Sequence, residues 1–219
     1  EMGIPAVVGV GNATGILKDN EEVTVDGSNG KVYKGKTQED KKVEILPIVK
    51  TKTKVKLIVD IPETSKRAAL TKCDSIGLLR LEGIIASAKK HPLQYEKENK
   101  LKEYIKLLEE NIEKIINPFK EALIRTSDLR SDEFASLEGS PEIEGNPMLG
   151  NHGIRFSLKH PDIFEAELEA IKNIAKKNPN KIIGIMFPQI ISSDEIKMAK
   201  LHLEKIGLSS LKNIKTGIM

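Results

Sequence analysis

From Val55 onward the chain alternates between short apolar runs and longer stretches whose apolar residues recur every three or four positions. Residues 55–61 read as a buried strand, and Pro62 opens a helix to about Lys72 at a position where its missing N–H does no harm. Residues 74–79 form a second strand ending at Arg80. A long helical region follows, broken at His91-Pro92, and resumes with apolar residues at 101, 104, 105, 108, 112, 115 and 116. Residues 122–124 are a third strand ending at Arg125. Residues 161–177 are helical, 181–187 are a fourth strand, and Ser193 with Ser192 caps a helix that runs to about Ile206 and stops at Gly207. A fifth strand begins at Ile214.

Strands alternating with helices build a parallel sheet, either an open doubly wound one or part of a (β/α)₈ barrel. Arg80, Arg125 and Pro188-Gln189 each lie just past the carboxyl end of a strand. In a barrel those ends share one face, where active sites lie, so the pattern favours an α/β fold made of about the first five strands of a TIM barrel over residues 55–219. Five strands cannot close such a barrel, and the chain is expected to be cut at both ends.

Residues 1–35 follow another pattern. Gly3 to Gly9 holds a short apolar strand, residues 22–27 alternate like a half-buried strand, and Lys31-Val32-Tyr33 returns after a turn at Gly27-Ser28-Asn29-Gly30. A small β-meander is predicted, too short to bury a core unaided and so the tail of a further domain. Residues 36–54, lysine-rich with Pro47, read as a linker. Between Leu123 and Gly153 the apolar periodicity lapses for nearly thirty residues rich in Asp, Glu, Ser, Gly and Pro. Phe134, Leu137, Met148 and Leu149 within it point to a packed, functional loop rather than a tether.

Composition narrows the function classes. No apolar run approaches a membrane span, no signal peptide is visible, and the single cysteine, Cys73, fits a reducing compartment, so a cytoplasmic protein is expected. Only five of the 35 basic residues are arginine, and the many lysines are interleaved with acids, the usual surface of a hyperthermophile protein. A nucleic-acid binder would concentrate arginine and aromatic residues on one face, so no nucleic-acid partner is expected.

Three of the five arginines surround the central loop. A guanidinium at the end of an apolar strand is costly to desolvate and needs an anion. For Arg80 that anion is a structural partner such as Glu82, or a substrate carboxylate or phosphate gripped by two parallel hydrogen bonds. Arg125 repeats the arrangement one β/α unit later, with Asp128, Arg130, Asp132 and Glu133 nearby as alternative partners. Two such cations at one level repel unless a shared anion lies between them, and a small dianion would satisfy both. His152, in Gly150-Asn151-His152-Gly153, is either a base or phosphate ligand or, more commonly for a lone loop histidine, a neutral hydrogen-bonding group. His91, His160, His202 and Cys73 show no metal-site pattern.

Three stretches carry a family resemblance: Glu1-Met2-Gly3-Ile4-Pro5-Ala6-Val7-Val8-Gly9, then Gly77-Leu78-Leu79-Arg80-Leu81-Glu82, then Arg125-Thr126-Ser127-Asp128 with Ser131-Asp132-Glu133-Phe134 and Asn146-Pro147-Met148-Leu149-Gly150. Together they resemble the phosphoenolpyruvate-utilising enzymes, which pass a phosphoryl group through a histidine on a swivelling domain. The form of the central loop is similar to that of the branch making phosphoenolpyruvate from pyruvate, ATP and water. The alternatives are a phosphocarrier like enzyme I of the sugar phosphotransferase system and a non-catalytic interaction module. The resemblance implies that Arg80 and Arg125 hold the phosphate and carboxylate of phosphoenolpyruvate and polarise the enolate oxygen of pyruvate. Asp128 is a further candidate at this site. His152 stands where the family usually has arginine, so a third cationic contact is weakened there or supplied by Arg155. The resemblance also places the phosphohistidine and the ATP-binding domain before Glu1, and the Mg²⁺ ligands and a catalytic cysteine after Met219. The chain alone is therefore not expected to turn over, and its bare sheet edges are expected to pair with a missing segment or another copy.

Overall fold

A computed structural model describes residues 4–37, 49 and 51–219. Two compact units divide the chain, Glu1–Ile45 and Leu46–Met219. In the first, helix α1 (Ala13–Ile16) is a single turn, and β1 (Val23–Asp26) pairs antiparallel with β2 (Lys31–Lys34). The expected meander is therefore a two-stranded hairpin. Its turn is set by Asp26, whose Oδ1 accepts from the amides of Ser28 and Asn29 at 3.1 and 3.0 Å. The strand expected within Gly3 to Gly9 does not form over residues 4–9, where no strand among the described residues pairs with it. Most of the expected linker, residues 38–48 and 50, lies outside the described residues.

The second unit carries five parallel strands: β3 (Leu57–Ile58), β4 (Ser75–Arg80), β5 (Glu121–Arg125), β6 (Ile182–Phe187) and β7 (Ile214–Ile218). They lie in chain order, β3-β4-β5-β6-β7, and the sheet is open. Helices α2 (Pro62–Ala69), α3 (Glu82–Ser87), α4 (Pro92–Lys97), α5 (Leu101–Ile116), α6 (Ile154–Lys159), α7 (Pro161–Lys177) and α8 (Ser193–Ile206) fill the connections. The large ones pack in the same sequence as the strands, α2 on α5, α5 on α7 and α7 on α8. β3 is far shorter than the run 55–61 suggested. It is an edge strand with one neighbour, and its Ile58 is exposed.

The core lies between sheet and helices. Ala122 and Ile124 of β5 and Ile183, Ile185 and Phe187 of β6 face it and are buried. It is closed by Tyr104, Leu108, Ile112, Ile115 and Ile116 of α5 and by Phe164, Leu168, Ile171 and Ile174 of α7. By strand alternation the opposite face carries Glu121, Leu123 and Arg125. Pro92 starts α4 after His91, whose Nδ1 accepts from the Leu93 amide at 3.2 Å. α8 opens on a reciprocal cap: the Ser192 hydroxyl accepts from the Glu195 amide at 3.2 Å, and Glu195 Oε2 accepts from the Ser192 amide at 3.0 Å. Ser192→Ala is expected to cost roughly 0.5–2 kcal/mol, read as a lower midpoint in urea with an unchanged slope.

The central loop is packed, as its apolar residues suggested. Leu129 and Leu137 are buried and Phe134 lies against the core, whereas Met148 and Leu149 are exposed. The loop is fastened to the turn before α4 by two backbone bonds, His91 N–H to Glu138 O at 2.9 Å and Glu138 N–H to Lys89 O at 3.0 Å.

Candidate functional site

Arg80 and Arg125 are register partners on the adjacent strands β4 and β5, at the carboxyl rim of the sheet. Neighbours in register on parallel strands lie about 4.8 Å apart and present the same face. The two cations thus stand side by side, where elementary electrostatics requires anions. The structure supplies them from within. Asp60, two residues past β3 and buried, accepts from the Arg80 amide at 2.9 Å through Oδ1, and from Nε at 2.7 Å and Nη2 through Oδ2. Gly83 makes room for this strand end, since a Cβ there would lie 2.9 Å from the Asp60 carbonyl oxygen. Glu82, expected as the alternative partner of Arg80, pairs with Arg125 instead: its Oε1 accepts from Nη2 at 2.8 Å. The expected single gap between two arginines is therefore replaced by two ion pairs, each guanidinium held by its own carboxylate. Arg80 is the more open, its side chain 44% exposed against 14% for Arg125.

The turn that follows Arg125 is held from three sides. The Thr126 amide donates to Met186 O on β6 at 3.1 Å, the Ser127 amide to Glu167 Oε2 at 3.1 Å, and the Asp128 amide to Glu82 Oε1 at 2.7 Å. Glu167, on α7, has no solvent exposure, and its other oxygen accepts from the Tyr104 hydroxyl at 3.0 Å. Burial pushes its carboxyl up to about 7 despite these donors, and the nearby Glu82 charge adds to the rise. Burial likewise raises Glu82, against the pull of Arg125. Glu82 Oε2, Arg125 Nε and Thr126 Oγ1 are buried without a hydrogen-bond partner among the described residues.

Asp128 joins the arginine to the far end of the loop. Its Oδ2 lies 3.6 Å from Arg125 Nη1 and accepts from Gln189 Nε2 at 3.3 Å, and its Oδ1 is 2.7 Å from His152 Nδ1. His152 Nε2 lies 3.0 Å from the Met148 carbonyl. That carbonyl can only accept, so Nε2 is the donor in this contact. His152 is buried and ties the loop's two ends together instead of facing outward as a third cation. Arg155 does not take that place either. Its Nε and Nη2 both donate to Gly150 O, at 2.9 and 2.7 Å. Arg130 belongs to a separate exposed cluster with Asp132 and Glu133. A cavity of about 320 Å³ lies under the loop, with His91, Leu129, Ser131, Phe156 and His160 in its wall, and contains neither rim arginine.

Gly153 permits this closure. Its φ of 59° and ψ of −139° are strained for any other residue, and a Cβ would lie 2.8 Å from Gln189 Cγ and 3.0 Å from Asp128 Oδ1. Gly153→Ala is expected to cost about 1–3 kcal/mol, a Tm lower by roughly 2–4 °C for each kcal/mol in a unit of this size. An unchanged melt would mean that this turn is not under constraint.

Among the described residues no group of three or more His, Cys, Asp or Glu could hold a metal ion. The rim acids Asp60, Glu82 and Asp128 are engaged by guanidinium or imidazole, so they do not form a magnesium site as they stand. No helix among the described residues is long and apolar enough to cross a membrane. Cys73 lies just before the start of β4, half-buried, with its Sγ near the carbonyls of Val55 and Ser75.

The described residues thus form an open α/β sheet with two arginines in register at its carboxyl rim. Residues 36–219 match the family model described as PEP-utilising enzyme, PEP-binding domain, and residues 1–30 match PEP-utilising enzyme, mobile domain. The chain belongs to the PEP-utilising enzymes. It is 40% identical over its whole length to the probable phosphoenolpyruvate synthase of Methanothermobacter thermautotrophicus, of which it covers 34%. It is likewise 40% identical to the phosphoenolpyruvate synthase of Pyrococcus furiosus, covering 29%, and 41% identical to the probable enzyme of Methanocaldococcus jannaschii, covering 19%. The chain thus spans about a third or less of the length of these relatives.

Proposed function

We propose that this chain is the part of a phosphoenolpyruvate synthase that binds the three-carbon substrate, in an enzyme converting ATP, pyruvate and water into AMP, phosphoenolpyruvate and phosphate. The observation that carries the reading is the in-register pair Arg80 and Arg125 at the sheet's carboxyl rim. Guanidinium groups fixed there stabilise the charge that spreads over a transferring phosphoryl group and a developing enolate oxygen. Asp60 and Glu82 hold the two forks in place before substrate arrives, and a carboxylate or phosphate binds by replacing carboxylate contacts with its own. Arg80, the more exposed, makes that exchange first.

We read the sheet as five successive strands of a (β/α)₈ barrel. In support, strands and large helices both follow chain order, without the reversal that marks the switch point of a doubly wound sheet. Residues 1–35 contain no histidine, so the phosphohistidine and the ATP site belong to other parts of such an enzyme. The magnesium implied by the resemblance has no ligand set among the described residues, and none of the steps assigned to these arginines passes through it. Relatives named as synthases favour this reading over a phosphocarrier.

The test is to supply ATP and pyruvate to an intact polypeptide carrying this sequence. Pyruvate-dependent release of AMP and phosphate together with phosphoenolpyruvate is expected. Phosphoenolpyruvate-dependent phosphorylation of a carrier protein, with no AMP formed, would overturn the assignment.

A further inference from the structure

Two consecutive amides of the turn after Arg125 end on two different buried glutamates, Ser127 on Glu167 and Asp128 on Glu82. Glu82 also grips the guanidinium, so its role can be read from that contact alone. Glu167 cannot be read in this way. It touches no substrate-facing group, sits at full burial inside the helix layer, and sends its second oxygen to Tyr104 on α5. An ionisable carboxyl so placed costs stability unless its contacts return something, and an apolar residue would fill the same space without that cost.

We propose that Glu167 is a positioning residue for Arg125: by accepting from the Ser127 amide it fixes the turn that carries the arginine, and the proton it exchanges sets how firmly the arginine is held. Its bearing on catalysis rests on the reading of Arg125 as a substrate-binding group. The titratable groups facing Glu167 are Tyr104 on α5 and Glu82 at the start of α3, with Tyr95 behind Tyr104 and Arg125 behind Glu82. The groups hydrogen-bonded to Glu167 are the Ser127 amide and side chain and the Tyr104 hydroxyl, each of which favours the ionised carboxylate. These bonds therefore strengthen when Glu167 is ionised, and the turn is tightened toward α7. Protonation weakens the Ser127 bonds and removes a negative charge close to Glu82, so the turn holds Arg125 less firmly against Glu82, Asp128 and the Met219 sulfur. Tyr104, pushed well above its ordinary range by burial, stays a donor throughout.

The experiment is a nuclear magnetic resonance titration of this chain, labelled at the glutamate carboxyl carbons, the backbone amides and the arginine Nε. The Glu167 carboxyl carbon is expected to titrate at about 7. The Ser127 amide proton should move downfield at that same midpoint, and the Arg125 Nε resonance should follow it. E167Q should abolish that midpoint at both positions, and Y104F, which removes a donor to the ionised form, should raise it. An Arg125 signal that stays flat while Glu167 titrates would overturn the proposal, as would an unchanged Arg125 titration in E167Q. Oxalate affinity measured in parallel separates the two readings. If Arg125 follows Glu167 but oxalate fails to bind at any pH, the positioning role stands and the substrate assignment falls.

Discussion

Arg125→Ala is expected to destabilise this chain by roughly 3–5 kcal/mol and Arg80→Ala by less, although the two residues are register partners in one sheet. The difference follows from burial. Arg125 and Glu82 have side chains 14% and 11% exposed, so removing the guanidinium strands a desolvated carboxylate that also anchors the Asp128 amide. Asp60, left behind by Arg80→Ala, is buried too, but the ion pair it loses is screened because the Arg80 side chain is 44% exposed, so solvent reaches the vacated space. The loss in Arg125→Ala should also depend on pH. Burial already raises the Glu82 carboxyl, and without Arg125 it takes up a proton more readily, so the deficit should be larger at pH 8 than at pH 5. Urea unfolding of both variants at the two pH values checks this. Equal losses in the two variants would mean that the Glu82 pair is solvated rather than buried.

Glu167→Gln should change how stability depends on pH. The Glu167 carboxyl is pushed up to about 7 from an ordinary value of 4.5, so the folded chain binds this proton more tightly than the unfolded chain does. Its contribution is therefore most favourable below pH 4.5, falls as pH rises toward 7, and is constant above that. The span corresponds to about 3 kcal/mol. Glutamine keeps an acceptor for Ser127 and a polar partner for Tyr104 but does not titrate. The variant should thus gain on the parent between pH 5 and 7 and level off above that. Parallel curves for parent and variant would show that Glu167 is not the group responsible.

Much of the architecture was legible because its signals are local. The alternation of apolar runs with helical stripes placed all five strands, and the bounds of α7 and α8 followed from Pro161, the Ser192-Ser193 pair, of which Ser192 is the cap, and Gly207. The rim arginines were legible for a related reason, since each charge ends an apolar strand. The partners were not, because they come from distant sequence. Asp60 follows a strand of only two residues and shows its purpose only when β3 lies beside β4. Glu82 was visible but assigned to the wrong arginine, because proximity in sequence favoured Arg80 where the fold favours Arg125. Glu167 left a signal that could have been used. It falls among Phe164, Leu168 and Ile171 on the apolar stripe of α7, where an acid must find buried donors. His152 reads in sequence as a base, a phosphate ligand or a hydrogen-bonding loop residue, and the fold turns it inward onto Asp128 and Met148.

On the proposed function, Arg80 and Arg125 give up contacts with Asp60 and Glu82 to receive a substrate anion. Calorimetric titration of this chain with oxalate, which mimics the pyruvate enolate, tests it most directly. One oxalate should bind per chain, and Arg80→Ala, whose fold is expected to survive, should abolish that binding. No binding to the parent chain, or undiminished binding to the Arg80→Ala variant, would contradict the claim.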